Sequence, residues 1–329
     1  MQHSPTPETT APDEKAVKAG ARKVSVVVPT YGSAAFIDKL VASLLAVFAG
    51  RTEECEIILV DDCSPDTVTW PALTRLHEQY PAQVKIVRLL KNAGQHNAIL
   101  CGLGFATGDV IVTMDDDLQH PPEELPKLLR KLDEGYDLVI GAYDEKRHAG
   151  YRNRGGELVD AIIRRIYRLP ATTKLTSFRA MTKSLVEVAR KSQNPYPYVT
   201  CILLDQASRV ANVEVRHAER EHGSSSYSLM RSVVLATNLL FSYSSLPLYL
   251  TAGFCLLASV LALMMMTWVF ITIFLHGVSV PGWASAVTAL TLFSTFMLAS
   301  MFVMGVYIAR IHHQLSGRRV PFTVDRYHE

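Results

Sequence analysis

Between Ser232 and Ala309 the chain has no aspartate, glutamate, lysine or arginine, a run of 78 residues. Core helices of soluble proteins seldom lack every charge over such a length, so the run reads as membrane-spanning. Cysteine is scarce as well. Cys55, Cys63, Cys101, Cys201 and Cys255 stand singly, with no CxxC pair, which excludes a zinc ribbon or a disulfide framework and suits a reducing cytoplasm. The residues from Met1 to about Lys23 contain no apolar stretch, so they are not a signal peptide. They read as a disordered leader, with the soluble domain beginning in the cytoplasm at residue 24. No GxGxxG follows the first apolar strand and no GxxxxGK[ST] occurs, which removes the dinucleotide-binding and P-loop fingerprints. A formal net charge of +2 gives no argument for nucleic acid.

The uncharged run divides in two. Leu248 to Leu275 gives 28 uncharged residues and Trp283 to Ile308 gives 26, each long enough for a bilayer core that takes roughly 20. His276 to Gly282 links them. Arg310, His312, His313, Arg318 and Arg319 follow the second stretch, and basic residues favour the cytoplasmic side, so both termini are expected there. Leu229 to Tyr243 precedes the spans with few charges and suits a helix at the membrane interface. The expected division is a leader over 1–23, a soluble domain over 24–228, an interfacial helix over 229–245, a two-helix hairpin over 246–309 and a tail over 310–329.

The soluble part alternates strand and helix. Val24 to Pro29, Cys55 to Val60, Val84 to Leu90, Val110 to Met114 and Asp137 to Gly141 are short apolar runs, most without a polar face. Between them lie helical patterns, the clearest being Leu125, Leu128, Leu129 and Leu132. Such alternation predicts an α/β fold, a mostly parallel sheet flanked by helices. Ligands of such sheets bind beyond the carboxyl ends of the strands. Asp61-Asp62 and Asp115-Asp116-Asp117-Leu118-Gln119 both fall at those ends, so they are expected to share one crevice. Carboxylates leaving a buried strand are costly unless neutralised, and Mg²⁺ takes one or two of them with substrate phosphates and water. An enzyme handling a diphosphate fits that pattern; an acidic turn capping the next helix is the plainer alternative.

Lys146 to Arg168 is strongly basic, with Leu158, Val159, Ile162, Ile163 and Ile166 as an apolar stripe. It reads equally as a helix lying on an anionic membrane or as one packed on the domain.

These pieces, in order, resemble the polyisoprenyl-phosphate glycosyltransferases of glycosyltransferase family 2. The matching segments are Val26 to Tyr31, Leu59 to Asp66, Asn92 to His96, Asp115 to Pro122, Ser177-Phe178-Arg179 and His217 to Ser228, followed by two carboxy-terminal spans. The resemblance covers about residues 24 to 315. It implies a Rossmann-like fold of the GT-A type, with amphipathic interface helices and two transmembrane helices. It further implies inverting transfer of a sugar from a nucleotide sugar, with a UDP-sugar expected, to undecaprenyl phosphate at the cytoplasmic face of a bacterial inner membrane. Membrane lipid is then a partner, and homo-oligomers are expected through small residues such as Gly253 and Gly305 in the spans.

Carried over residue by residue, the resemblance places Pro29, Tyr31, Val60 and Asp62 on the nucleoside, Asp116 on the ribose or diphosphate, and Mg²⁺ or Mn²⁺ on Asp115, Asp117 and Gln119. Arg147, Arg179 and Arg220 would contact phosphate groups. Arg179 could instead pair with a buried acid, and His96 reads as a structural hydrogen bonder; His120 is open to either use. Three departures stand out: Ser33 where the family commonly has an acid, Ser226 where it has a lysine, and no aspartate just before Ser177. A membrane scaffold that has lost catalysis is the alternative these departures raise; a processive polysaccharide synthase lacks its Gln-x-x-Arg-Trp motif here.

Overall fold

The computed structural model describes residues 22–143, 154–192, 197–216, 229–276, 282–315 and 322–329. The leader, the expected phosphate contacts Arg147 and Arg220, and the segment from His217 to Ser228 lie outside the described residues, apart from Arg22 and Lys23.

Strands β1 (Lys23–Thr30), β2 (Glu54–Asp61), β3 (Val84–Leu89) and β4 (Val110–Thr113) pair in parallel, with β4 beside β1 and β3 beyond β2. Val24, Val26 and Val28 of β1 face one apolar cluster while Val27 faces the other, so the strand is buried on both sides. Helices α1 (Ile37–Phe48), α2 (Thr69–Gln79) and α4 (Leu125–Asp133) cover the first face; α3 (Gln95–Phe105) covers the second. The leucine stripe of α4 is wholly buried, and each such leucine contributes about 1.5–3 kcal/mol. α3 lies close because Gly102 permits it: a Cβ there would sit 2.4 Å from Val27 Cγ1 and 2.9 Å from Val60 Cγ2.

The sheet has eight strands in the order β7-β5-β6-β4-β1-β2-β3-β8. Three of them were not visible in the periodicity. β6 (Arg179–Thr182) enters antiparallel between β4 and β5 (Leu138–Tyr143), and β7 (Val210–Val215) runs parallel to β5. β8 (Val324–His328) lies antiparallel on β3, so residues expected in a simple tail close the sheet edge. Its anchors are tertiary: Tyr327 meets Phe105, and His328 meets Trp70 and His77.

Glu56 is the principal buried charge at the far end of the sheet. Only 1% exposed, it accepts from Ser25 Oγ (2.5 Å), Thr107 N (2.6 Å) and Lys23 Nζ (2.8 Å). Burial pushes its pKa up, but Lys23, Ser25 and Thr107 outweigh that and hold it at about 2, against an ordinary 4.5. A depressed acid stabilises the fold above the unfolded pKa and loses that contribution as pH falls through the folded one. Glu56→Gln is therefore expected to cost ~3 kcal/mol at pH 7 and to flatten the loss of stability between about pH 4.5 and 2. Denaturant unfolding of the detergent-solubilised chain as a function of pH checks this; an unchanged acid limb would refute it.

Beyond α5 (Arg154–Ile166), α6 (Lys183–Ala189) and α7 (Val199–Gln206), helix α8 (Leu229–Tyr243) leads into α9 (Leu246–His276) and α10 (Trp283–Leu315). The apolar stripe of α5 is covered by protein: Val159 and Ile163 share a buried cluster with Ala236 and Leu239 of α8. α9 and α10 contain apolar stretches at Leu246–Thr272 and Ala289–His312 with mean hydropathy 2.4 and 1.9, and only 6% of each window is buried. A helix of a soluble core would be covered; these two present their leucines, methionines and phenylalanines outward, as spans in lipid do. α10 is fastened to α8 by Arg310, which donates to Asn238 Oδ1 (3.1 Å) and to Ser242 Oγ, and to the turn after α8 by Tyr307, which donates to Ser244 O (3.0 Å).

Candidate active site

At the carboxyl ends of β1, β2 and β4 lies a cavity of about 360 Å³, lined by Pro29, Thr30, Tyr31, Asp62, Asn92, Gly94, Gln95, Asp115, Asp116 and Asp117. Four of these ten side chains are carboxylates and none is basic. Parallel pairing brings them together: β1 in the middle carries Tyr31, β2 delivers Asp62, and β4 delivers the three aspartates.

The loops are set by hydrogen bonds to these acids. Asp62 accepts from Ala93 N (2.7 Å) and Gly94 N (2.8 Å), fixing the turn into α3, where Gly94 takes a φ of +89°. Burial pushes the Asp62 pKa up, against the pull of those two donors. Asp61 points the other way, toward Ser64 Oγ (2.6 Å) and Arg88 Nε (3.4 Å), so of the first acidic pair only Asp62 reaches the cavity. Ser64 Oγ in turn accepts from Gly32 N (2.9 Å), holding the loop after β1.

Each aspartate after β4 has its own surroundings. Asp115 accepts from Gln95 Nε2 (2.6 Å) and from Ser177 Oγ. Asp116 accepts from Ser33 Oγ; burial, reinforced by the charges of Asp115 and Asp117, pushes its pKa up to about 6 despite that donor. Among the described residues Asp117 accepts only Gln119 N (3.1 Å), across a turn in which Leu118 takes a φ of +60°. Its second oxygen is uncommitted. Gln119 does not line the cavity, and Val60 is fully buried beneath α3, where its side chain supports the sheet and cannot touch a ligand. No three His, Cys, Asp or Glu side chains converge as a ready-made metal cage among the described residues.

Arg179, on β6 beside β4, is 2% exposed. Its Nη1 donates to Thr200 Oγ1 (3.2 Å) and its Nε to Ser177 O (3.4 Å). No carboxylate lies within ion-pair distance, so the alternative of a buried Arg–acid pair does not hold among the described residues. Burial draws its pKa down, with Tyr198 and Asp115 opposing. A guanidinium nonetheless stays charged, and a buried charge without a partner is costly.

Among the described residues the buried Nδ1 of His96 has no hydrogen-bond partner, unlike the structural hydrogen bonder expected, and its ring packs 4.4 Å from that of Tyr198. Burial, then the charge of Arg179, lowers its pKa to about 4, so the ring is neutral at pH 7. His120 is buried behind the aspartates, stacked on Tyr143 and tilted against Phe178. Ser33, Gln95 and Ser177 were missed as site residues. Gln95 and Ser177 lay in recognisable segments, but their part in the site, like that of Ser33, is revealed by the acids they hold.

The model of the family described as "Glycosyl transferase family 2" matches residues 25–190. Undecaprenyl-phosphate 4-deoxy-4-formamido-L-arabinose transferase from Klebsiella pneumoniae subsp. pneumoniae is 31% identical over 302 residues, covering 90% of this chain and 91% of the relative. The enzyme of the same name from Yersinia pestis is 31% identical over 303 residues, with the same coverage of both chains. Among solved structures, glucosyl-3-phosphoglycerate synthase from Mycobacterium tuberculosis, in complex with Mn²⁺, UDP and phosphoglyceric acid, has 22% identity and a TM-score of 0.50, covering 67% of this chain and 77% of that one. At that identity the likeness speaks for the fold, which is the one described above. On these matches, over most of its length, the chain belongs to glycosyl transferase family 2.

Proposed function

We propose that the chain transfers a sugar from a nucleotide sugar, a UDP-sugar in our reading, to undecaprenyl phosphate at the cytoplasmic face of the membrane, with inversion at the anomeric carbon. The product is a polyprenyl-phosphate-linked sugar for cell-envelope glycans or lipid A modification. One observation carries the reading. Among the described residues, a cavity with four acids and no base adjoins Arg179, which is buried with no carboxylate within ion-pair distance. The first needs a cation and the second an anion, and a metal-bound diphosphate supplies both.

The donor set fits a hard divalent ion. Asp117, with an uncommitted oxygen, and Asp115 would hold Mg²⁺ or Mn²⁺, which takes one or two carboxylates and completes its shell from phosphates and water. Bound there, the ion neutralises negative charge on the leaving diphosphate. The exposed ring of Tyr31 at the rim, with Pro29, would stack on the nucleobase, and Asp62 would accept from its N–H through the lone pairs that Ala93 and Gly94 leave open. Asp116 would meet the ribose or the diphosphate. Arg179, with Arg147 and Arg220, would orient phosphate groups. A phosphate monoester has a second pKa of about 6 and is largely ionised at neutral pH, so the acceptor needs no strong general base. A site of this kind does not depend on the aspartate expected just before Ser177.

Ser33 tests the donor pocket at modest cost. Ser33→Ala removes a donor to Asp116 and an acceptor for Tyr31 N (3.0 Å), an effect of about 1–2 kcal/mol. We expect the donor KM to rise roughly tenfold with little change in kcat. A change confined to kcat would place Ser33 elsewhere in the mechanism.

Purified protein in vesicles, given undecaprenyl phosphate, Mg²⁺ and a panel of UDP-, GDP- and CMP-sugars, is expected to form an organic-extractable glycosyl lipid from a UDP-sugar. No lipid-linked product from any donor, with nucleotide binding intact, would favour the scaffold alternative.

A further inference from the structure

A second, larger cavity of about 610 Å³ opens where the soluble domain meets the apolar helices, within the size range of small-ligand sites. Its walls come from the carboxyl ends of α6, α7 and α8 and from Tyr307 of α10. None of the residues assigned to the transfer reaction lines it. Its lining mixes apolar groups with the hydroxyls of Ser245, Tyr243 and Tyr307, and among the described residues it holds one cation, Lys191, and one acid, Asp205. Among the described residues neither is ion-paired, with the other or with any third group. The nearby cation of α10, Arg310, is already engaged by Asn238, Ser242 and the ring of Phe241.

Position and chemistry together narrow the occupant. α9 begins at Leu246 and α10 returns to the domain near Tyr307, so the cavity sits at the boundary between the exposed apolar surfaces and the soluble domain. In a bilayer that is the headgroup level. A cation and an acid in one cavity, neither ion-paired among the described residues, complement a ligand that carries both signs. We propose that this cavity binds the headgroup of a zwitterionic phospholipid with a primary ammonium, its phosphate on Lys191 and its ammonium on Asp205. A primary ammonium donates hydrogen bonds to a carboxylate; a quaternary one does not.

The site also reaches the transfer cavity. Tyr243 lines it, and the Tyr243 hydroxyl accepts from Tyr198 N (2.9 Å), while the Tyr198 ring packs on His96 beside the donor pocket. A bound headgroup would stiffen that wall. The inference rests on the reading of α9 and α10 as membrane spans, and only its last step, the effect on transfer, rests on the proposed activity.

The test uses the full chain reconstituted into phosphatidylcholine vesicles with graded phosphatidylethanolamine or phosphatidylglycerol. Lipid retained by the protein after mild detergent extraction is quantified by mass spectrometry, and thermal unfolding is followed in parallel. We expect phosphatidylethanolamine to be retained about tenfold over phosphatidylcholine and to raise the unfolding midpoint. Lys191→Gln and Asp205→Asn should each remove both effects while leaving transfer in pure phosphatidylcholine unchanged. Equal retention of all three lipids, or enrichment that survives both substitutions, would overturn the proposal. Enrichment of phosphatidylglycerol that is insensitive to Asp205→Asn would overturn the ammonium half of it. A chain that associates with no vesicle would defeat the membrane reading instead, and because retention and unfolding do not require turnover, a missing transferase activity would leave this result standing.

Discussion

Asp117→Asn is expected to lower sugar transfer by ~10²–10³-fold, the cost of removing one preorganised electrostatic contact to developing charge. The substitution keeps shape and keeps an oxygen able to accept from Gln119 N, so the turn at Leu118 should survive and the unfolding midpoint should not move. What changes is charge, in a cavity whose acids otherwise have donors: Asp62 has two backbone N–H groups, Asp115 has Gln95 and Ser177, and Asp116 has Ser33. Asp117 is the acid with an oxygen to spare, which is why we assign it the larger share of the metal. Turnover at saturating Mg²⁺ together with Mn²⁺ titration by electron paramagnetic resonance decides the matter. Near-normal turnover in the variant would reject the assignment.

Arg179→Met should separate stability from activity. A buried cation with no carboxylate within ion-pair distance among the described residues burdens the fold, although the charge of Asp115 offsets part of that cost, and replacing buried charges with apolar groups of similar volume is often neutral or stabilising by 1–4 kcal/mol. We therefore expect an unfolding midpoint equal to or above that of the natural chain, with transfer reduced by ~10²-fold or more through loss of phosphate orientation. Arg179→Lys would retain the charge without the planar fork and should recover only part of the rate. A purely structural arginine predicts the opposite pattern, a destabilised Arg179→Met protein whose remaining folded fraction works normally.

The parallel half of the fold was legible because it obeys simple periodicities. β1 to β4 are short β-branched runs between helical patterns, and the leucines of α4 recur at helical spacing. The strands that escaped notice are those whose pairing is decided at long range. Arg179–Thr182 offers four residues starting with a buried charge, and Val324–His328 is mostly exposed, with aromatic contacts made to distant helices. The site was legible to the same extent. Acids at strand ends identify the cavity, since parallel strands deliver them to one edge. Which acid is free and which is occupied depends on Ser33, Gln95 and Ser177, contributed by three separate segments, and no local pattern reports such pairings. Val60 shows the converse: its place in a motif pointed to the nucleoside, but it lies inside β2 and is covered by α3, while Asp62, two residues on and past the end of the strand, lines the cavity.

The central claim is that the acid-lined cavity holds a nucleoside diphosphate through a divalent cation. Calorimetric titration of UDP into the full chain, with Mn²⁺ and again with excess EDTA, examines it directly. We predict binding with Mn²⁺, loss of at least tenfold in affinity with EDTA, and the same loss in Asp117→Asn with the metal present. Equal affinity under all three conditions would contradict the account.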